Sequence, residues 1–256
     1  MSNINFTKII RNKNYLFVLL QNELLEKHKS VLKILSWRTT FSKIVFFCDK
    51  HSTKFYSKYF EYDNVSFEGS FVNINPKPDE TIILVLQDKT FDRYIPANSM
   101  VVGFSKFANF FFKSEPLYSS DLIIEFGKLL GINNEKSENL DLTDKYAVEL
   151  KDQVIIDIPK FWNYFKMKSV VKHFTLNFSP EMVFTKRSMK PKAELVSKII
   201  NSNNLDQVST YALEAKFIVS SDANLLIFLS NVGIKNLKFL GAKKPNSKIE
   251  LFKSLK

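Results

Sequence analysis

The sequence predicts an α/β protein made of two Rossmann-like domains, each with a parallel sheet, facing a cleft. Three observations lead there. Short apolar runs alternate with stretches of helical period along the whole chain, the signature of parallel sheets with helices on both faces. The rhythm pauses once, over the polar stretch Asn133 to Thr143, and then restarts. The 256 residues, 45% of them apolar, suffice for two cores, since domains typically take about 100–200 residues. The boundaries follow as 1–145 and 146–256. In such sheets ligands sit outside the carboxyl ends of the strands.

The elements follow in order. Leu16 to Leu20 is an unbroken apolar run and reads as a buried strand. From Glu23 to Arg38, apolar residues recur at Leu24, Leu25, Val31, Leu32, Ile34 and Leu35, a helical period. Lys43 to Cys48 is a second buried strand, His51 to Phe60 a short helix, and Val65–Phe67 and Phe71–Ile74 are short strands. Asn75-Pro76-Lys77-Pro78-Asp79 is a turn. Thr81 to Leu86 and Met100 to Phe104 are strands, and Asp121 to Leu130 is a helix that Gly131 stops. Beyond the polar stretch come a strand at Gln153–Ile158, a helix at Trp162–Phe174 and a strand at Met182–Thr185. Pro191 to Ile200 reads as a helix with proline in its first turn. Phe217–Ser220 is a strand, Asp222–Asn231 a helix, Leu237–Leu240 a strand, and Lys248–Leu255 a closing helix.

Composition narrows the chemistry. There are 6 glycines, against roughly 18 at average usage, and no G-x-G, so neither the dinucleotide fingerprint nor a P-loop is present. Residues 1–150 carry 19 Lys/Arg and 18 Asp/Glu, and residues 151–256 carry 18 and 8, so the net charge of +11 lies almost wholly in the second half. A basic half attracts polyanions: nucleic acid, anionic lipid or phosphorylated small molecules. No nucleic-acid motif accompanies the charge. Cys48 is the sole cysteine, inside an apolar strand, and reads as a small core residue. His28, His51 and His173 show no metal-ligand spacing. The run Tyr15–Leu20 is too short for a membrane span or signal core, so a cytoplasmic setting is expected. Lys106-Phe107-Ala108-Asn109-Phe110-Phe111-Phe112-Lys113 reads either as a buried edge or as a membrane-touching loop. Lys186-Arg187 with Lys190 and Lys192 forms a basic cluster after a strand, either solvated or facing a phosphate.

The sharpest local signal is Phe217-Ile218-Val219-Ser220-Ser221-Asp222-Ala223-Asn224. A buried strand ends in Ser-Ser-Asp and a helix begins. Ser221 or Asp222 can cap that helix, and the same N-terminus can hold an anion such as a diphosphate. The stretch from Leu205 to Gly241 resembles the C-terminal signature of glycosyltransferase family 9, the heptosyltransferases of the lipopolysaccharide core. That signature reads S-x-D-T-G-x-x-H-L-A, then L-G-x-P-x-V-x-L-F-G. Asp222, Gly233 and Gly241 match it, whereas Ala223, Asn224, Ile227 and Lys235 stand at the Thr, Gly, His and Pro places. The family's strand and K-x-W-P are similar to Ile155-Ile156-Asp157-Ile158 followed by Lys160-Phe161-Trp162-Asn163. Its opening strand and G-D fall at Leu20 and Asn22-Glu23, and its mid-domain strand at Val101-Val102-Gly103-Phe104.

The resemblance implies a GT-B-like fold, with residues 1–145 as the acceptor domain and 146–256 as the nucleotide-sugar domain. It implies a heptose-like sugar moved from a nucleoside-diphosphate donor, such as an ADP-sugar, to lipopolysaccharide or another glycan or lipid-linked acceptor. Glu23 would be the catalytic base. Lys160, Ser221, Asp222, Ala223 and Asn224 would bind the donor. No D-x-D occurs, so no metal and no cofactor besides the donor are expected. The replaced Thr, Gly and His fit a second reading, a decayed relative that binds without catalysis. A third is a basic nucleic-acid-binding protein. The expected place of work is the cytoplasm, with peripheral contact at an anionic inner membrane.

Overall fold

In the computed structural model the chain divides into two compact units, Met1–Asn139 and Leu140–Lys256. The structure describes residues 13–20, 24–69, 77, 79–86, 95–96, 99–103, 108, 110–111, 119–132, 138, 140–146, 149–158, 168–174, 181–185, 198–201 and 204–240. Strands expected at Phe71–Ile74, the Asn75–Pro76 part of the turn, the first part of the Trp162 helix and the closing helix at Lys248–Leu255 lie outside them.

The first unit carries β1 (Tyr15–Leu19), α1 (Leu24–Leu35), β2 (Lys43–Phe47), α2 (Lys50–Tyr59), β3 (Val65–Glu68), β4 (Thr81–Val85), β5 (Met100–Gly103), β6 (Phe110–Phe111) and α3 (Ser119–Leu129). Its six strands lie in the order β3-β2-β1-β4-β5-β6, all parallel. This is the doubly wound order, and its direction reverses between β1 and β4. Register places Leu16 beside Ile44 and Ile82, and Leu19 beside Phe47 and Val85. Every residue of β4 is buried, so both faces of the sheet are covered there. Phe17, Leu19, Val45, Phe47, Ile83, Val85 and Val101 form one core cluster.

The helices of this unit are tied down by specific contacts. Asp49 caps α2 by accepting from the amides of His51 (2.9 Å) and Ser52 (3.2 Å). Trp37, just past α1, meets Phe126 of α3 edge to face at 5.7 Å. Arg38 pairs with Glu138 and lies 4.5 Å over the Tyr62 ring, which fastens the end of the unit to the β2–β3 region. The helix over Asp121–Leu130 forms as expected. Gly131, at φ +71, donates to Lys128 O (2.9 Å), and Ile132 donates to Gly127 O (2.9 Å), the two bonds of a Schellman ending. Gly103, opposite Val85, has φ +116, and a Cβ there would lie 2.0 Å from the Val85 carbonyl oxygen, so β4 and β5 can approach only through glycine.

The second unit carries α4 (Leu142–Lys145), β7 (Lys151–Asp157), α5 (168–174), β8 (Glu181–Thr185), β9 (Lys198–Ile200), α6 (Leu205–Glu214), β10 (Ala215–Ser220), α7 (Ala223–Asn231) and β11 (Leu237–Phe239). Its sheet runs β11-β10-β7-β8-β9, again all parallel. The order reverses between β7 and β10, the place where such sheets open a crevice. Val154, Ile156, Ile158, Val170, Val171, Phe174, Met182, Phe184, Val219 and Leu240 make its core.

One expectation is overturned. The helix read over Pro191–Ile200 does not reach Ile200: Lys198–Ile200 is a strand, with Thr185 opposite Ile200. Pairing along the sheet edge outweighs the helical spacing of the residues before it, which lie outside the described residues. The division between the units falls inside the polar stretch Asn133–Thr143, and α4 begins at its end, where Asp141 accepts from the Thr143 amide at 2.9 Å.

One buried pair makes the first unit sensitive to acid. His28 on α1 is fully buried, and its Nδ1 lies 2.7 Å from the Tyr56 hydroxyl of α2. Burial pushes its imidazole down from 6.5 to about 4. The unfolded chain therefore takes up this proton first as the pH falls, and the folded chain only near pH 4. The His28 contribution to stability is intact above about pH 6.5 and lost toward pH 4, by roughly 3 kcal/mol at 1.36 kcal/mol per unit. Urea unfolding at pH 7 and pH 4.5 should show a larger acid loss for the wild type than for His28→Gln. Equal losses would contradict this.

Candidate functional site

The carboxyl ends of β7, β8 and β10 converge on one buried carboxylate. Asp157 closes β7 and is 2% exposed. Among the described residues it is the one fully buried acidic side chain. Thr185 closes β8, and its hydroxyl donates to Asp157 Oδ1 at 2.5 Å. Ser220 closes β10, and its hydroxyl donates to Asp157 Oδ2 at 2.8 Å. The Ser221 amide donates to the Asp157 backbone carbonyl at 3.1 Å. A carboxylate accepts only, so two hydroxyl donors match its chemistry and offset its loss of water.

The network continues into α7. The Asp222 amide donates to Ser220 Oγ at 2.8 Å. The Asp222 side chain accepts from the amides of Asn224 (3.0 Å) and Leu225 (3.3 Å). Asp222 is thus the N-cap of α7, as its sequence position predicts. Its charge lies at the positive end of the helix dipole. Ala223 and Asn224 are exposed, and Ser221 and Asp222 are half-buried, so the first turn faces solvent. At the other end of α7, Gly233 has φ +91 and donates to Ser230 O at 3.1 Å, while Ile234 donates to Leu229 O at 3.0 Å.

The structure therefore brings Ser221, Asp222, Ala223 and Asn224 together at one strand-to-helix turn. Glu23 and Lys160 lie outside the described residues. In sequence, Glu23 falls between the end of β1 and the start of α1, and Lys160 three positions past Asp157. Lys186, Arg187, Lys190 and Lys192, which follow Thr185 in sequence, are also outside them. Of the segment Lys106–Lys113, Phe110–Phe111 is a strand on β5, and Ala108 packs on the first core.

Sequence reasoning missed Asp157, Thr185 and Ser220 as site residues. The available signal was a polar residue closing each of three apolar strands. Among the described residues, Lys151 meets Glu214 (2.6 Å) and Lys216 meets Asp152 (3.3 Å), at the amino ends of β7 and β10. Cys48 is buried and its thiol is pushed up to about 12 by desolvation, so it packs rather than reacts. Among the described residues no helix is long and apolar enough to cross a membrane.

The cap makes a definite contribution. Asp222→Ala frees two amides and should lower stability by about 1 kcal/mol. Thermal unfolding at neutral pH checks it, and a variant as stable as the wild type would refute the capping role.

No family model and no curated protein sequence matches the chain. Solved structures do. A glycosyltransferase family 9 structure from Veillonella parvula matches with TM-score 0.55 and 11% identity, over 94% of this chain and 91% of that one. The iron-containing dodecameric glycosyltransferase TibC from enterotoxigenic E. coli matches with TM-score 0.52 and 11% identity, over 90% of this chain and 59% of that one. The dodecameric iron-containing heptosyltransferase TibC in complex with ADP-D-beta-D-heptose gives TM-score 0.50 and 11% identity, over 90% and 58%. The chain thus spans somewhat over half the length of TibC. With two parallel sheets of doubly wound order, the chain shares its fold with structures of glycosyltransferase family 9.

Proposed function

We propose that the chain is a glycosyltransferase. It moves a heptose-like sugar from a nucleoside-diphosphate donor, such as an ADP-sugar, to lipopolysaccharide or another glycan acceptor. The observation that carries this reading is the exposed first turn of α7, fixed at the carboxyl end of β10 beside the reversal point of the second sheet. That is where a doubly wound sheet receives a nucleotide. The fold likeness to family 9 structures supports it. The net charge of +10 over residues 151–256, from 18 Lys/Arg and 8 Asp/Glu, suits a diphosphate.

The chemistry then runs as follows. The Glu23 carboxylate takes the proton from an acceptor hydroxyl. The freed oxygen forms a bond to the anomeric carbon as the bond from that carbon to the diphosphate oxygen breaks. The departing diphosphate gains negative charge, which Lys160 and the positive end of the α7 dipole stabilise. Ser221, Ala223 and Asn224 line the same turn. The absence of a D-x-D motif is consistent with a transfer that uses no metal–diphosphate bridge. The first unit takes the acceptor, the second the donor, and the protein works in the cytoplasm, peripheral to the inner membrane through its basic half.

A second reading is favoured by the α7 surface itself. Ala223 and Asn224 stand where the family pattern has Thr and Gly, and Ile227, at the His place, is 50% exposed. A protein that binds the nucleotide-sugar without turning it over fits those replacements. Incubation with ADP- and UDP-sugars and an acceptor glycan, followed by nucleotide release, separates the two. Turnover that drops by about 100-fold or more in Glu23→Gln supports the transferase. Turnover unchanged by that substitution removes Glu23 from the mechanism. Nucleotide binding by calorimetry with no turnover across the donor panel supports the binding protein.

A further inference from the structure

We propose that Asp157 is a positioning residue for donor binding. It holds the Ser220 hydroxyl in the one orientation that sets the opening turn of α7. This inference rests on the glycosyltransferase reading and names a residue that reading does not use.

A serine hydroxyl has one proton to give and lone pairs to accept with. Ser220 is fully buried and gives its proton to Asp157 Oδ2 at 2.8 Å. Its lone pair is thereby turned toward the Asp222 amide, which it accepts at 2.8 Å. Asp222 in turn holds the amides of Asn224 and Leu225. A second bond, from the Ser221 amide to the Asp157 backbone carbonyl at 3.1 Å, fixes the intervening residue. The chain Asp157–Ser220–Asp222 thus leads from a buried carboxylate to an exposed helix start.

Asp157 itself does not meet the donor. Both of its oxygens face hydroxyls, on Thr185 and Ser220, and its side chain is sealed from solvent. A negative carboxylate would also repel a diphosphate. Its effect passes through Ser220. A turn already set in its binding geometry loses less freedom when the ligand arrives, so affinity rises without any new contact. Asparagine at 157 would present one amide N–H where an acceptor is required and would force one of the two hydroxyls to reverse.

The test uses the full chain and measures ADP and UDP binding by calorimetry beside urea unfolding. Asp157→Asn and Ser220→Ala should each weaken nucleotide binding by about fivefold or more. Gln153→Met is the control. Gln153 is also on β7 and is buried, but it donates to the Tyr211 carbonyl at the opposite end of the strand, at 3.1 Å. It should lower stability and leave nucleotide affinity unchanged. Should Asp157→Asn fail to fold, the Ser220→Ala and Gln153→Met pair decides alone. Wild-type affinity in Ser220→Ala, or an equal loss in Gln153→Met, overturns the positioning role while the transferase reading stands. A folded wild type that binds neither nucleotide overturns both.

Discussion

A carboxylate deep in a sheet is a constraint before it is a feature. Taking the charge of Asp157 out of water costs several kcal/mol. The hydroxyls of Thr185 and Ser220 offset that cost only while the ends of β8 and β10 stay beside the end of β7. Hydrogen bonds to a charged group contribute about 1.5–3 kcal/mol each, so the three strands are bound to one geometry where they would otherwise fray. From that fixed point the order of events is forced. Ser220 faces Asp222, Asp222 caps α7, and the helix starts at a defined place beside the sheet's reversal point.

Among its described residues, the first unit reaches the same architecture without a buried carboxylate. Its strands β1, β2 and β4 have apolar ends: Leu19, Phe47 and Val85. Its order is maintained by packing, by the close approach at Gly103, and by the Arg38–Glu138–Tyr62 group near the unit's end. The difference between the units is chemical. The ends of β1, β2 and β4 pack, whereas those of β7, β8 and β10 hydrogen-bond, on the half of the chain that carries the excess of positive charge. Glycine scarcity fits this division. With no glycine-rich loop to shape an anion site, the second unit shapes its strand-to-helix turn with side-chain bonds.

Much of this was legible from residues alone. The buried strands stood out because burial on both faces makes them continuous apolar runs, as in Ile82–Val85 and Val154–Ile156. The α7 cap was legible because Asp222 contacts residues two and three positions on. Lys198–Ile200 was misread because three residues carry no period, and its strand state is conferred by β8 alongside. Asp157 was invisible for a related reason: its partners lie 28 and 63 positions away. No local pattern announces a bond that only the strand order β10-β7-β8 creates.

The proposed seat of the donor diphosphate is the opening turn of α7. The most direct measurement is to follow the backbone amide resonances of the folded chain while ADP is added to saturation. The amides of Ser221, Asp222, Asn224 and Leu225 should shift together with one common affinity. Saturable binding that leaves those four unmoved, and shifts instead residues at the amino ends of the strands such as Lys151, Asp152 and Lys216, would contradict it.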